Sequence, residues 1–300
     1  MRIVVTGAGG MLGQALVPVL EADHQVAGLT RKDGDLCDEA AVTEVLKRHQ
    51  PDLVIHLAAF TQVDACEIEP EKAKAWNEIA TLNVARAAKQ LGAAVLYTST
   101  DYVFDGGHDR PYREDDPTNP LNVYGRSKLM GEKHLREILD RCLIVRTSWL
   151  FGPYGRNFVS TIRKLAGEKD ELRIVSDQRG SPTYTRHLAQ KLAELVAAGE
   201  YGVFHVTGTG NCTWFEFAQK IVEFCGIEGV RLIPVSSSEY VCAAKRPAYS
   251  VLDNQRLNGL GTGLLPHWET GLKDYLEELQ HGEGWSGKTT GTRSAYASNV

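Results

Sequence analysis

The sequence predicts an α/β fold built on a doubly wound parallel sheet, with a smaller mixed α/β lobe that binds substrate. In the first half of the 300-residue chain, short apolar runs alternate with longer amphipathic stretches, an order typical of strands joined by helical crossovers. The apolar runs show no polar face, as expected where helices cover both sides of a sheet. Since domains average roughly 100–200 residues, we expect one large domain and a smaller lobe.

Strands and helices alternate regularly through residues 1–150, which we expect to form one domain. The predicted strands are Ile3–Thr6, Gln25–Leu29, Leu53–Leu57, Ala94–Thr98 and Leu143–Thr147. The predicted helices are Gln14–Glu21, Ala40–Arg48, a long stretch from Glu71 to Leu91, and Tyr124–Leu139.

The pattern changes after about Gly152, where loops rich in Gly and Pro separate shorter elements. We expect residues 151–280 to form mainly the substrate lobe, with parts of 180–210 returning to the sheet. Residues 281–300 are poor in large apolar groups, which predicts a flexible tail. The predicted elements are helices Phe158–Leu165, Arg186–Ala198, Trp214–Cys225 and Glu269–Leu279 and strands Arg173–Val175, Val203–Val206 and Val230–Pro234.

Composition and charge exclude several classes of function. The net charge is −5 with no basic stripe, which argues against nucleic acid as a partner. No apolar run approaches the roughly 20 residues that a membrane span needs, so we expect no membrane partner. The six cysteines form no C-x-x-C pair and have no zinc-ligand spacing. They are therefore interpreted as reduced thiols of a cytoplasmic protein, and no metal site is predicted.

A glycine-rich turn lies between the first predicted strand and the first predicted helix. Gly7 permits a tight turn, Gly10 lets the backbone approach a pyrophosphate, and Gly13 lets the helix pack closely on the strand. The helix N-terminus offers unpaired N–H groups and a positive dipole end to phosphates. This placement predicts a Rossmann-type site for a dinucleotide.

The residues after the second predicted strand bear on the choice of cofactor. An NAD site commonly carries an acidic residue there, but the sequence reads Leu29-Thr30-Arg31-Lys32. The positive charge of Arg31 suits the 2′-phosphate of NADPH, and a solvated basic loop is the competing interpretation. NADPH is therefore favoured, and NADH stays open. Asp35 and Leu36 follow in the same loop and are expected near the adenine ring.

Tyr124 and Lys128 lie four residues apart, on one face of a predicted helix. A phenol is a poor acid–base catalyst at its ordinary pKa of about 10. We expect the neighbouring ammonium to lower the pKa of Tyr124. Tyr124 would then give a proton to a carbonyl oxygen as hydride reaches the carbon, and Lys128 would also hold the nicotinamide ribose.

Small and polar residues follow the third, fourth and fifth predicted strands. Ala58 and Ala59 leave room for a cofactor, Thr100 follows the fourth strand, and Trp149 follows the fifth. Ligands of an open parallel sheet bind beyond the carboxyl ends of its strands. The sequence therefore predicts that these residues and the glycine turn meet in one crevice.

These motifs resemble the extended short-chain dehydrogenase/reductases, through Thr6-Gly7-x-x-Gly10-x-x-Gly13, Thr100 and Tyr124-x-x-x-Lys128. Longer blocks look like the dTDP-4-dehydrorhamnose reductase family, and the resemblance runs from about Met1 to Leu279. The blocks are Ser99-Thr100-Asp101-Tyr102-Val103-Phe104-Asp105-Gly106, Pro120-Leu121-Asn122-Val123-Tyr124-Gly125, Arg146-Thr147-Ser148-Trp149, Gly155-Arg156-Asn157-Phe158 and Asp177-Gln178-x-Gly180-x-Pro182-Thr183.

The resemblance implies NAD(P)H-dependent reduction of the 4-keto group of dTDP-4-dehydro-6-deoxy-L-mannose to dTDP-L-rhamnose. It implies that Tyr124 is the proton donor, that Lys128 is its partner, and that Thr100 donates a hydrogen bond to the substrate oxygen. The implied substrate contacts are Thr100, Asp101, Trp149 and Asn157. The implied cofactor contacts are Gly10, Met11, Leu12, Asp35, Leu36, Ala59, Phe60, Thr61, Tyr124 and Lys128, which join Gly7, Gly13, Arg31 and Ala58 as predicted above from the residues themselves.

Other functions share parts of this pattern. A related deoxysugar ketoreductase, such as dihydrostreptose synthase, would carry every motif, and a non-catalytic NADP-binding regulatory subunit stays open. Related dehydratases have Asp-Glu after the threonine, but here Asp101-Tyr102 follows Thr100, which disfavours that class. Some members of the family bind magnesium at a dimer interface through acidic C-terminal residues. Glu277 and Glu278 are interpreted as solvated carboxylates, and a homodimer is left open.

Overall fold

A six-stranded, wholly parallel sheet forms the centre of the computed structural model, which describes residues 1–240 and 242–281. The order of its strands is β10-β5-β4-β3-β1-β2. The strands are β1 (Arg2–Thr6), β2 (Gln25–Leu29), β3 (Leu53–His56), β4 (Ala94–Thr100), β5 (Cys142–Thr147), β6 (Leu150–Phe151), β7 (Glu171–Val175), β8 (Arg179–Gly180), β9 (Thr183–Tyr184), β10 (Gly202–His205), β11 (Cys212–Thr213) and β12 (Arg231–Val235).

Helices cover both faces of the sheet, because successive strand residues point to opposite sides. On one face, Ile3 and Val5 pack with α1 and α8. On the other, Val4 and Val54 pack with α2, α5 and α6. The predicted fold class is confirmed. The helices are α1 (Met11–Glu21), α2 (Glu39–His49), α3 (Val63–Ile68), α4 (Pro70–Ala73), α5 (Ala80–Leu91), α6 (Val123–Ile138), α7 (Phe158–Glu168), α8 (Thr185–Ala198), α9 (Trp214–Phe224), α10 (Gln255–Gly259) and α11 (Trp268–His281).

The strand order reverses between β1 and β3, and this reversal creates the crevice that the site occupies. The connection from β1 leads to β2 on one side, and β3 pairs with β1 on the other. The loops that follow β1 and β3 therefore leave the sheet in opposite directions, and a ligand fits between them.

The long predicted helix at Glu71–Leu91 is interrupted by a π-helical turn, Lys74–Ile79, between α4 and α5. The turn carries Asn77, which is buried. Its amide donates to the Phe60 carbonyl and to the Ser127 hydroxyl, both at 3.0 Å, and accepts from the Phe60 N–H. Such local widening often occurs at functional sites. Helical periodicity in the sequence does not distinguish a π-helical turn from an α-helix. The sequence also did not predict the short helix α3.

The second half of the chain divides between the sheet and a separate apolar cluster. Strand β10 pairs with β5, and α8 packs on the same face as α1. Most of the other elements form a cluster around Phe151 and Phe217, with β7 and β12 paired in parallel beside it, whereas α10 packs on the sheet through Leu257. Within the described part of the chain, no helix has the length and apolar character to cross a membrane. The tail predicted for 281–300 falls, from residue 282 on, outside the described residues.

Candidate active site

One cavity of about 1030 Å³ lies beyond the carboxyl ends of β1, β3, β4 and β5. Its walls bring together all of the predicted site residues except Phe60 and Asn157, from the glycine turn to the predicted proton donor. The predicted residues that line it are Gly7, Gly10, Met11, Leu12, Gly13, Arg31, Asp35, Leu36, Ala58, Ala59, Thr61, Thr100, Asp101, Tyr124, Lys128 and Trp149.

The glycine turn leaves no room for side chains. Gly7 has a φ of +71°, and a Cβ there would lie 2.7 Å from the backbone nitrogen of Ala58. A Cβ on Gly13 would lie 2.5 Å from the carbonyl oxygen of Gly7. Helix α1 therefore begins tightly against β1, with Gly10 as an N-cap that supplies no side-chain bond, and its first turn holds no acidic residue. Its N–H groups and positive dipole end fit a pyrophosphate.

At the end of the cavity beyond β2, the cationic side chains of Arg31 and Lys32 line the wall beside the carboxylates of Asp33 and Asp35. The Arg31 guanidinium lies 5.2 Å from the ring centroid of Trp76, and this cation–π contact holds it at the wall. Asn83 donates to the Leu36 carbonyl at 3.0 Å and positions the loop beneath. A cation beside an apolar wall fits an adenosine that carries a 2′-phosphate, so these residues fit NADPH.

Tyr124 and Lys128 project from α6 toward the ends of β3 and β4. Asn122 precedes α6, and its side chain caps the helix by accepting from the Gly125 N–H at 2.8 Å. A Cβ on Gly125 would lie 2.1 Å from the Tyr102 carbonyl oxygen, so this glycine lets the first turn of α6 press against the end of β4. The phenol is half-buried, and the ammonium is 3% exposed.

The pKa values of this pair differ from the sequence expectation. Burial raises the pKa of Tyr124 well above its usual range, and Lys128 contributes no lowering. Burial also lowers the pKa of Lys128 to about 7, against the attraction of Glu132 one helical turn further on. The predicted lowering of the Tyr124 pKa is therefore wrong for this arrangement, because burial raises the pKa more than the hydrogen bond with Thr100 lowers it. Tyr124 holds its proton at neutral pH, so it is present as the acid rather than as tyrosinate.

Asp101 is a buried carboxyl group next to this pair. It accepts hydrogen bonds from the hydroxyls of Thr100, at 3.0 Å, and Ser250, at 2.5 Å. Burial outweighs these bonds and raises its pKa to about 7. Because Ser250 comes from the second half of the chain, Asp101 also ties that half to the end of β4.

Trp149 forms an aromatic wall of the cavity just after the end of β5. Its φ is +48°, a left-handed conformation that turns the chain sharply after β5. Its ring stacks on Trp214 with 3.4 Å between centroids and 5° between planes. A Cβ on Gly180 would lie 2.5 Å from the Trp149 ring, so glycine is required behind it.

Asn157 is a predicted substrate contact that does not line the cavity. Its amide nitrogen donates to the Gly152 carbonyl at 2.8 Å, and its amide oxygen accepts from the Ser160 N–H at 3.0 Å. It caps α7, and both ends of its side chain are already used. The motif around Asn157 thus serves the start of a helix, and a contact between Asn157 and substrate stays a prediction.

Three residues of the second half line the cavity and were not predicted: Arg156, Trp214 and Arg246. The Arg246 guanidinium forms an ion pair with Asp64 of α3 at 2.7 Å. This pair joins the two halves of the chain beside the cavity. None of the three residues follows a strand of the central sheet. The search for ligand contacts after the strands of the predicted sheet therefore could not find them.

The fold and this cavity define a Rossmann-type, dinucleotide-binding oxidoreductase with a Tyr–Lys pair. A sequence profile of the RmlD substrate binding domain matches residues 1–281. The chain belongs to that family, which confirms the predicted resemblance.

Relatives of known name agree with this assignment. The chain is 43% identical to the spore coat polysaccharide biosynthesis protein SpsK of Bacillus subtilis, over 92% of this chain and 97% of that one. It is 42% identical to a dTDP-4-dehydrorhamnose reductase of Streptomyces griseus, over 93% and 94%. The crystal structure of dTDP-4-dehydrorhamnose reductase from Bacillus anthracis in complex with NADP superposes with a TM-score of 0.90 at 40% identity, over 92% and 99%.

Proposed function

We propose that this chain reduces the 4-keto group of dTDP-4-dehydro-6-deoxy-L-mannose with NADPH and forms dTDP-L-rhamnose. The observation that carries the proposal is the continuity of one cavity from the glycine turn to the Tyr124–Lys128 pair and on to the Trp149–Trp214 stack. Relatives named dTDP-4-dehydrorhamnose reductase support the choice of substrate. The relative crystallised with NADP supports the choice of cofactor.

The proposed reaction assigns a separate role to NADPH and to each residue near the ketone. NADPH supplies the hydride when bound. Tyr124 supplies the proton that the ketone oxygen gains, because its phenol is protonated at neutral pH and the alkoxide formed by hydride addition is a stronger base than tyrosinate. Lys128, whose pKa is about 7, holds the cofactor ribose and is able to return a proton to Tyr124. Thr100 donates to the ketone oxygen once it releases Asp101.

The second half of the chain provides contacts suited to a sugar nucleotide. The Trp149–Trp214 stack offers a flat apolar surface to a sugar or base. Arg156 and Arg246 line the same region and carry positive charge toward a diphosphate. Asp101 accepts a hydrogen bond from Thr100 and lines the same cavity. A sugar whose ketone oxygen reaches Thr100 would therefore also lie next to Asp101. We propose that these residues form the substrate site.

The test supplies dTDP-4-dehydro-6-deoxy-L-mannose and NADPH to the purified chain, follows the absorbance of the reduced nicotinamide, and assigns the product by NMR. We expect oxidation of one NADPH per sugar and the configuration of L-rhamnose. The opposite configuration at C4 would assign the chain to another deoxysugar ketoreductase. NADPH binding without any turnover would instead favour a regulatory subunit, and the proposal would fail.

The organisation of the chain follows from the same proposal. We propose that residues 1–150, with α8 and β10, bind the dinucleotide and that the rest of 151–280 forms the substrate lobe. Association into a homodimer and a cytoplasmic location stay predictions of the sequence. Light scattering of the purified chain at micromolar concentration measures the first directly.

A further inference from the structure

Thr147 ends β5 with a buried hydroxyl that has no hydrogen-bond partner among the described residues. The residue is 5% exposed and lines the cavity. Three neighbouring hydroxyls at these strand ends are engaged: Ser99 donates to Glu132, Thr100 to Asp101, and Ser148 to the Ser181 carbonyl. A buried polar group without a partner is costly. An unsatisfied hydroxyl in a cavity wall therefore points to a ligand.

The position of Thr147 in the sheet selects the ligand group. Thr147 is the register partner of Thr100, and neighbouring strands lie ~4.8 Å apart, a spacing close to the width of a six-membered ring. When the pyrophosphate of a dinucleotide binds at the glycine turn after β1, the nicotinamide half extends past β3 toward β4 and β5. The sugar nucleotide has its own wall on the far side, formed by Trp149 and Trp214. Thr147 therefore faces the nicotinamide end.

We propose that the Thr147 hydroxyl hydrogen-bonds the carboxamide of the nicotinamide ring and fixes which ring face is turned toward the substrate. A carboxamide carries both a donor and an acceptor, so either orientation satisfies a threonine hydroxyl. The inference rests on the proposed function, because it needs a nicotinamide cofactor in this cavity. It adds a residue that selects the orientation of the cofactor.

The test measures dissociation constants by fluorescence titration without any sugar substrate. Thr147→Val keeps the branched shape and removes the hydroxyl, so NADPH should bind about 3- to 10-fold more weakly. Thr147→Ser should restore the wild-type value. The fragment 2′-phospho-ADP-ribose, which lacks the nicotinamide, should bind wild type and Thr147→Val equally. Thr185→Val is the matched control, since Thr185 is also buried with an unpartnered hydroxyl but does not line the cavity.

A second readout follows the ring face. With NADPH deuterated on one side of C4, wild type should transfer a single label, and Thr147→Val should lose part of that selectivity. Unchanged NADPH affinity in Thr147→Val, or equal weakening of NADPH and of the fragment, would overturn the inference. The fluorescence titrations need no turnover, unlike the label transfer. They can therefore contradict the role of Thr147 while wild type still reduces the sugar, or support it while wild type does not.

Discussion

The two ends of the cavity are built in different ways. The cofactor end is made largely of backbone and small side chains from continuous segments, the turn at 7–13 and the loop at 58–61. The substrate end is assembled from bulky side chains of separate segments, among them Trp149, Trp214 and Arg246. Close packing of backbone constrains residue type strongly, because a single Cβ already clashes at Gly7 and Gly13. The substrate end is constrained mainly by side-chain contacts between distant parts of the chain.

The largest effect is expected where the two ends meet. Tyr124→Phe removes the proton donor, and turnover should fall about 10²- to 10⁴-fold. Binding should persist at both ends, since the ring and its packing remain. Initial rates with NADPH and the 4-keto sugar measure the loss, and fluorescence titration of NADPH is the control. Turnover equal to that of wild type would remove Tyr124 from the mechanism.

The same contrast explains what the sequence could predict. The parallel sheet, the glycine turn and Tyr124–Lys128 follow from local pattern, because hydrophobic period and fixed spacing are local properties. Trp214 and Arg246 reach the cavity through tertiary packing, which no local pattern encodes. Asn157 caps α7 in the structure, and a motif shared with a family does not tell such a helix cap from a ligand contact. The pKa of Tyr124 was misjudged because burial, invisible in the sequence, raises it and Lys128 does not lower it.

A substitution in the aromatic wall tests the substrate end alone. Trp214→Ala removes the ring that supports Trp149, and we expect KM for the sugar nucleotide to rise about tenfold. The dissociation constant of NADPH should stay within error of wild type, because Trp214 lies away from the glycine turn. Trp214→Phe retains an aromatic surface and should recover part of the loss. Equal losses of sugar and NADPH affinity would mean that the two ends are not independent.

Arg31 tests the cofactor end in the same way. Arg31→Ala should lower the preference for NADPH over NADH about tenfold, because the partner of the 2′-phosphate is lost. The ratio of kcat/KM for the two cofactors measures the change, and KM for the sugar should not move. Arg48→Ala, an exposed arginine on α2 outside the cavity, is the matched control. If wild type shows no preference for NADPH, Arg31 is not the discriminating residue.

The last expected effect is on stability and not on activity: it is a pH dependence that arises from Asp101, which joins β4 to Ser250 of the second half. Burial raises the pKa of Asp101 from 3.8 to about 7, so the folded chain holds a proton that the unfolded chain has lost. The stability from this group is complete below pH 4 and is lost as the pH rises through about 7. Asp101→Asn stays neutral and should lack this loss.

The measurement is the difference in unfolding free energy between wild type and Asp101→Asn, by urea denaturation from pH 4 to pH 7. His56 and His205, whose pKa values burial lowers to about 3, act with the opposite sign. Lys128, with a pKa lowered to about 7, adds stability only above that pH. These groups are present in both proteins, so they largely cancel in the difference. A difference that does not change with pH would mean that Asp101 is ionised throughout, and that its bonds to Thr100 and Ser250 outweigh its burial.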